Sequence, residues 1–292
     1  MTGNSVNPTS PIFSEALKII IKSSWLNWLL VCFPLGILAD FLFHWTGLVT
    51  FALNILAIIP LASLLNLATE EICDQKGGSV AGILGAAFGN VVELIISIFM
   101  LIHGEIEVVQ ALMLGSIISN LLLVLGTCML VGGYSHKIQK FNQTAAQTSS
   151  SLMALSCISL LIPVAFNSLF DNNNNNKNSI LIPEEILDFF RRTAICLLIA
   201  YLLYLFFQLK THPYLFKEDE IVIEQLLLKI ENPLFPLSFF ISLLVIVTVC
   251  IALTSDCLVS SIEEAAKTLK INKFFVGLII LPIAGNAAEV LI

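Results

Sequence analysis

Apolar stretches as long as a bilayer is thick recur along this chain and leave it few ways to fold. Windows of about 19 residues pick out eight of them: Trp25–Trp45, Leu48–Thr69, Val80–Ile102, Val108–Val131, Ser149–Leu169, Phe189–Leu209, Leu237–Cys257 and Phe274–Ile292. In hydrocarbon every backbone N–H and C=O must be satisfied within the chain, so stretches of this length become helices. Composition agrees: 57% of the residues are hydrophobic and 12% charged, against about 45–50% and about 25% in soluble domains. The expected architecture is all-α, a polytopic transmembrane helix bundle of about eight spans whose first partner is the lipid bilayer.

Several function classes drop out at this level. The formal charge is −7 and no basic stripe appears, which argues against nucleic acid as a partner. There is no P-loop, no GxSxG and no HExxH, so neither an ATP-driven pump nor a hydrolase gains motif support. The expectation is therefore not an enzyme and no cofactor. The seven cysteines lie mostly in apolar stretches, form no CxxC pair and read as small hydrophobes. No early basic region precedes a small-residue cleavage site, so no cleaved signal peptide is read.

Orientation follows from the loops. Trp25, Trp28 and Trp45 flank the first span as interfacial anchors. Lys18 and Lys22 precede that span, Lys76 follows the second, and Lys137 and Lys140 follow the fourth. The positive-inside rule then puts the N-terminus in the cytosol. Residues 1–24 are read as a cytosolic tail and 25–47 as an extra N-terminal helix. Two linkers interrupt the apolar pattern. The run Asn172–Asn176 reads as a disordered loop, and Lys217-Glu218-Asp219-Glu220 lies in an acidic linker over 211–236, read as cytosolic. The four histidines, His44, His103, His136 and His212, sit near span ends as interfacial side chains.

Two copies of one string carry the functional message. Gly89-Asn90-Val91-Val92-Glu93 returns as Gly285-Asn286-Ala287-Ala288-Glu289. The flanks repeat as well, with Glu70-Glu71 ahead of the first copy and Glu263-Glu264 ahead of the second. By the span count the two copies enter the membrane from opposite sides, which is the inverted-repeat pattern of many transporters.

A carboxylate deep in a span is costly and marks a functional site. Gly82, Gly85, Gly89 and Glu93 share one helical stripe, with Asn90 on an adjoining face; glycines there would let another backbone approach and free carbonyls as ligands. In the last span, Pro282 leaves the carbonyl four residues earlier without its usual donor, close to Gly285, Asn286 and Glu289. Ser116, Ser119 and Asn120 face one direction in the fourth span, as further oxygen ligands or as interhelical hydrogen-bonding groups. Calcium takes 6–8 oxygens from carboxylates, amides, carbonyls and water. Two nearby buried carboxylates without an ion repel and lose hydration, so protons replace the metal. Glu93 and Glu289 are accordingly expected to bind Ca²⁺ and H⁺ in alternation. Glu70, Glu71, Asp256 and Glu263 are read either as solvated helix ends or as groups at the mouth of a proton and cation path. Asp40 is placed near the far interface.

These strings resemble the cation/proton exchanger family, in particular the vacuolar calcium/proton antiporters of the calcium/cation antiporter superfamily. The resemblance rests on Ile59-Pro60-Leu61-Ala62-Ser63, Ala68-Thr69-Glu70-Glu71, Phe88-Gly89-Asn90-Val91-Val92-Glu93-Leu94-Ile95, Gly115 to Gly126, and Phe275 to Pro282 running into the second Gly-Asn-x-x-Glu. It implies an extra helix followed by two inverted five-helix repeats. The first repeat would cover 48–210, and the second, starting at 237, would be incomplete at 292. It also implies Glu93 and Glu289 as central acids, shaped by Asn90, Asn286, Gly89 and Gly285, with Ser116 and Ser119 contributing. The implied function is Ca²⁺ movement from the cytosol into an acidic organelle, most naturally the vacuole, in exchange for H⁺. Because the chain stops three residues after Glu289, a fragment or a non-transporting partner of a full-length exchanger stands as the alternative, as does an exchanger for Na⁺/Ca²⁺ or Mn²⁺. A homo-oligomer or a full-length exchanger are the protein partners this reading allows.

Overall fold

A computed structural model describes residues 25–41, 46–135, 138, 141–171, 184–216 and 235–291. The Asn172–Asn176 run and the Lys217–Glu220 linker, with His44 and His136, lie outside the described residues, as do the side chains of Trp25, Asp40, Trp45 and Glu289. All regular elements among the described residues are helical.

A 3₁₀ segment, Trp25–Val31, leads into α1 (Cys32–Phe41). There follow α2 (Gly47–Lys76), α3 (Gly78–Phe88), α4 (Val91–Ile102) and α5 (Ile106–Ser119). A π-helical turn at Asn120–Val124 joins α5 to α6 (Leu125–Ser135). Next come α7 (Gln143–Asp171) and α8 (Glu184–Phe206). The last part holds α9 (Leu237–Leu269), one helical turn at Lys273–Phe275, a second π turn at Val276–Ile280, and α10 (Leu281–Leu291). Among the described residues, five stretches are long and apolar enough to cross a bilayer: Gly47–Lys76, Ala81–Ile102, Ile106–Tyr134, Leu187–Thr211 and Leu237–Leu269. The predicted span over 149–169 falls on α7.

The helices fall into two compact units, 1–139 with 226–292, and 140–225. In the second unit α7 and α8 pack together. Asn142 caps α7 by accepting from the Ala145 N–H at 3.1 Å, and its amide donates to the Leu215 carbonyl at 2.7 Å. Tyr204 of α8 meets Ser149 of α7 at 3.3 Å.

The first unit is built on a long antiparallel pair, α2 with α9. Gln75, near the end of α2, donates to the Phe235 carbonyl at the start of α9 (3.3 Å), and Glu264 lies against Gly47 at the other end. Leu65 and Ile58 of α2, Ile251, Leu258 and Ile262 of α9, and Ile96 and Met100 of α4 are fully buried between them. The opposite faces of α4 and α5 expose Leu94, Ile98, Leu101, Ile117 and Ile118. In water such a face would be a liability, whereas against lipid it costs nothing.

Two spans that read as continuous are interrupted. The stretch Val80–Ile102 is two helices, α3 and α4, separated at Gly89–Asn90. The last span carries its irregularity ahead of the duplicated string, in the π turn Val276–Ile280 just before Pro282. Proline lacks the N–H that an α-helix needs, and the wider π turn is the local adjustment that accommodates it.

Candidate functional site

The two duplicated strings come together inside the first unit. The helix break makes Asn90 the residue ahead of α4, which puts Glu93 in the first turn of α4. A helix N-terminus carries partial positive charge, so that turn favours a carboxylate. Glu93 is 7% exposed and faces α10: a β-carbon at Gly285 would lie 3.5 Å from Glu93 Oε1. The carboxylate thus lies within van der Waals reach of the second string. Ser97, one turn along α4, donates to the Glu93 backbone carbonyl at 2.7 Å.

Asn286 follows Gly285 and is fully buried, yet neither its amide oxygen nor its amide nitrogen has a hydrogen-bond partner in the protein. Ser119 Oγ, at the end of α5, is buried and likewise unpartnered. Such groups normally cost about 1–3 kcal/mol each and are rare in native interiors.

The packing of α5 explains why these groups share one level. At Gly115 a β-carbon would overlap the Leu278 carbonyl and approach Pro282 Cγ to 2.6 Å, and at Gly277 one would lie 2.8 Å from the Val108 carbonyl. The two backbones therefore touch at Val108–Gly277 and again at Gly115–Leu278/Pro282, and both segments start from the same end of the unit. Continuing one turn on each, from Gly115 to Ser119 and from Pro282 to Asn286, puts Ser119 beside Asn286 in height. The Leu278 carbonyl is the one freed by Pro282, and it is covered by the Gly115 backbone.

Of the close approach expected along Gly82, Gly85 and Gly89, the structure shows none at Gly85 or from another helix at Gly89. A β-carbon at Gly85 would meet nothing within 4 Å, and one at Gly89 would meet the Gly85 carbonyl of the same turn. In the described residues the glycines of tight interhelical contact are Gly36, Gly47, Gly115 and Gly277. Spacing alone shows which glycines share a face, and the face chosen for packing depends on which neighbour arrives there.

The remaining predicted residues spread outward. Asn90 and Gly89 are exposed at the helix break, and Ser116 is half-buried. Glu70 is exposed and Glu71 half-buried near the end of α2. Asp256 Oδ1 lies 3.7 Å from His103 Nε2, and Glu263 pairs with Lys267 at 2.8 Å. The backbone of Glu289 is one turn past Gly285 in α10. Among the described residues no cluster of three or more His, Cys, Asp or Glu side chains is placed to hold a metal.

The turn between α4 and α5 adds groups that sequence reasoning passed over. Glu105 Oε1 pairs with Lys273 Nζ at 2.5 Å, and Lys273 lies 3.8 Å from Glu263. The pair joins residues 168 apart in the chain, a separation at which no local pattern signals a partner.

The sequence profile of the sodium/calcium exchanger protein family matches residues 46–210 and 239–292, a range that includes both strings. The chain belongs to that family. It is 43% identical over 272 residues to a vacuolar calcium ion transporter of Schizosaccharomyces pombe, covering 93% of this chain and 63% of the relative. With a Ca²⁺/H⁺ antiporter of Aphanothece halophytica it shares 39% identity over 270 residues, covering 89% of this chain and 70% of the relative. The structure of native YfkE superposes on 90% of this chain and 70% of its own length, with a TM-score of 0.70 and 29% identity. A second YfkE structure, described as a Ca²⁺/H⁺ antiporter protein, matches with a TM-score of 0.67 over 89% of this chain. This exchanger-family chain is thus an all-helical multi-pass membrane protein with the YfkE fold, and the resemblance read from its strings holds. It spans about three fifths of the length of several of the vacuolar relatives it matches, 63% and 62% in two cases.

Proposed function

We propose that this chain handles Ca²⁺ and H⁺ in exchange for one another, moving Ca²⁺ out of the cytosol into an acidic organelle. The observation that carries the reading is the meeting of Glu93 with Gly285 beside a buried Asn286 whose amide has no protein partner. A carboxylate and an amide oxygen in neighbouring elements, with a buried hydroxyl on α5, are hard oxygen donors suited to a calcium ion. Glu289, one turn from Gly285, is the second acid of the proposed pair.

The chemistry follows from charge. A divalent cation between two carboxylates leaves the site neutral. When it departs, the carboxylates face one another in a medium of low dielectric, and uptake of protons relieves the repulsion. Cation and protons then occupy the same oxygens by turns. If the occupied site opens to one side at a time, the two fluxes are coupled in opposite directions. The family name, the printed names of the relatives and the opposed direction of the two string-bearing segments support this reading. The vacuolar names of several relatives favour the vacuolar membrane, with the N-terminus in the cytosol by the loop charges.

The test is flux. The purified chain in acid-loaded proteoliposomes is expected to take up Ca²⁺ in proportion to the pH gradient, and the Glu93→Gln variant is expected to take up none. Equal uptake by the two proteins would sink the proposal, and so would uptake driven by a sodium gradient alone. A chain that takes up no Ca²⁺ under any gradient would support the alternative of a non-transporting partner.

A further inference from the structure

Both segments that bring polar groups into the site terminate at one charged cluster. The first is α4, with Glu93 in its opening turn and His103 just past its end; Glu105 follows in the turn to α5. The second begins at Lys273, passes through the π turn, and reaches Asn286 in α10. At 1.5 Å per residue, Glu93 is about 15 Å from the end of its helix, and Asn286 about 20 Å from Lys273. At that end Lys273 pairs with Glu105 and sits 3.8 Å from Glu263, while Lys267 holds Glu263 from one turn away at 2.8 Å. Asp256 of α9 faces His103 at 3.7 Å.

The position of the Lys273–Glu105 pair is what matters. It ties the turn that ends the segment carrying the first string to the start of the segment carrying the second, and these segments run in opposite directions. The two side chains are 33% and 23% exposed, so the pair is partly shielded from water yet still reached by it. An exposed pair contributes little, and a fully buried one cannot separate cheaply. A half-buried pair sits between those limits, held strongly enough to bias a conformation and able to hydrate when it parts. Glu263 stands ready to share the ammonium.

Resting on the exchange reading above, we propose that Lys273 and Glu105 form a latch that closes this end of the site and must part for the ion to pass through it. The residues act by positioning the two site segments, and neither touches the ion. A site at mid-depth can be exposed to one side only when the other is shut. While the ammonium holds Glu105, the turn that follows α4 cannot swing away from the second segment at this end.

Two measurements test the latch. A cysteine introduced by Ser97→Cys, on α4 between Glu93 and His103, is labelled with a membrane-impermeant thiol reagent applied to each side of sealed vesicles in turn. The same protein with serine at 97 gives the background from the native cysteines. In the double variant Glu105→Gln/Lys273→Gln, labelling from the His103 side is expected to rise by about tenfold, as a shift in conformer population requires. The exchanged variant Glu105→Lys/Lys273→Glu is expected to return to the parental rate, a rescue that a loss of packing would not give. An unchanged rate in the neutralised variant overturns the latch. The second measurement is flux through Glu105→Cys/Lys273→Cys before and after bridging the two thiols with a short disulfide-containing bis-maleimide, with the parent treated identically. Cross-linking is expected to stop uptake and reduction to restore it; undiminished flux in the cross-linked protein overturns the latch. A parent that shows no uptake while its labelling responds to Glu105→Gln/Lys273→Gln counts against Ca²⁺/H⁺ exchange and leaves the latch supported.

Discussion

The backbone of Gly115 lies directly on the Leu278 carbonyl, the one oxygen in its segment that Pro282 deprives of an ordinary helical donor. The contact joins α5 to the π turn ahead of α10, with Ser119 and Asn286 each one turn further along from it. A methyl group at 115 has no room, because the neighbours it would strike are backbone and a proline ring.

Gly115→Ala is therefore expected to destabilise the protein by about 1–3 kcal/mol, the usual cost of forcing extra volume into a packed interface. Gly85→Ala offers the matched contrast. It adds the same methyl where nothing lies within 4 Å, inside a helix. Alanine is favoured over glycine there by about 1 kcal/mol, so this variant should be neutral or more stable. Thermal unfolding in detergent, followed by tryptophan fluorescence or light scattering, separates the two.

Much of this arrangement was legible in the sequence. Apolar length predicted helices, the duplicated Gly-Asn-x-x-Glu predicted that two strings would meet, and the loop count predicted that they would run in opposite directions. Glu93 lies against Gly285 of the second string, while the expected pairing of Glu93 with Glu289 involves a side chain outside the described residues. Residues joined only through three dimensions were not legible. Gly85 and Gly115 both lie in small-residue patterns, and nothing local says which one another backbone will touch. Lys273 and Glu105 look like ordinary charges at span ends until the fold brings them together. The break at Gly89–Asn90 was hinted at by its glycine, whereas the π turn at Val276–Ile280 was not, since proline spacing indicates that a helix will adjust without saying in which turn.

Asn286 gives the sharpest separation of function from fold. Its two buried polar atoms have no protein partner, so removing them relieves about 1–3 kcal/mol per group and offsets the cavity that truncation leaves. Asn286→Ala is expected to unfold within about 1 kcal/mol of the parent, or above it, in the absence of Ca²⁺. Its Ca²⁺ affinity, read by isothermal titration or radiotracer binding, should fall. A large stability loss with unchanged affinity would mark Asn286 as a packing residue.

Ca²⁺ itself should stabilise the folded protein, since a ligand that binds only the native state adds about 2.7 kcal/mol at a hundred times its dissociation constant. The shift in unfolding temperature with added Ca²⁺ should vanish in Glu93→Gln, which keeps the shape of the side chain and removes its charge. Mn²⁺ serves as the companion titration, because it accepts the same carboxylate and carbonyl donors. Equal shifts in parent and variant would place the ion elsewhere in the protein.

Lys273 predicts a pH dependence at the alkaline end. Its hydrogen bond to Glu105 raises the ammonium pKa above the ordinary lysine value; partial burial opposes this, and the charges of Glu105, Glu263 and Glu107 add to it. A raised folded-state pKa means that the folded protein holds this proton more tightly than the unfolded chain does. The stabilisation is then fully present below the unfolded lysine value of about 10.4 and is lost as pH rises through the folded value. Lys273→Gln should accordingly be less stable than the parent near neutral pH, and the gap should close as the medium is taken above about pH 10.4. The measurement is the difference in unfolding temperature between the two proteins across that range, since the other lysines contribute to both and cancel. High salt should narrow the gap only in part, because a pair with 33% and 23% exposure is incompletely screened. A gap that stays constant to high pH would mean that Lys273 contributes through its aliphatic stem, and that its charge does not hold the two segments together.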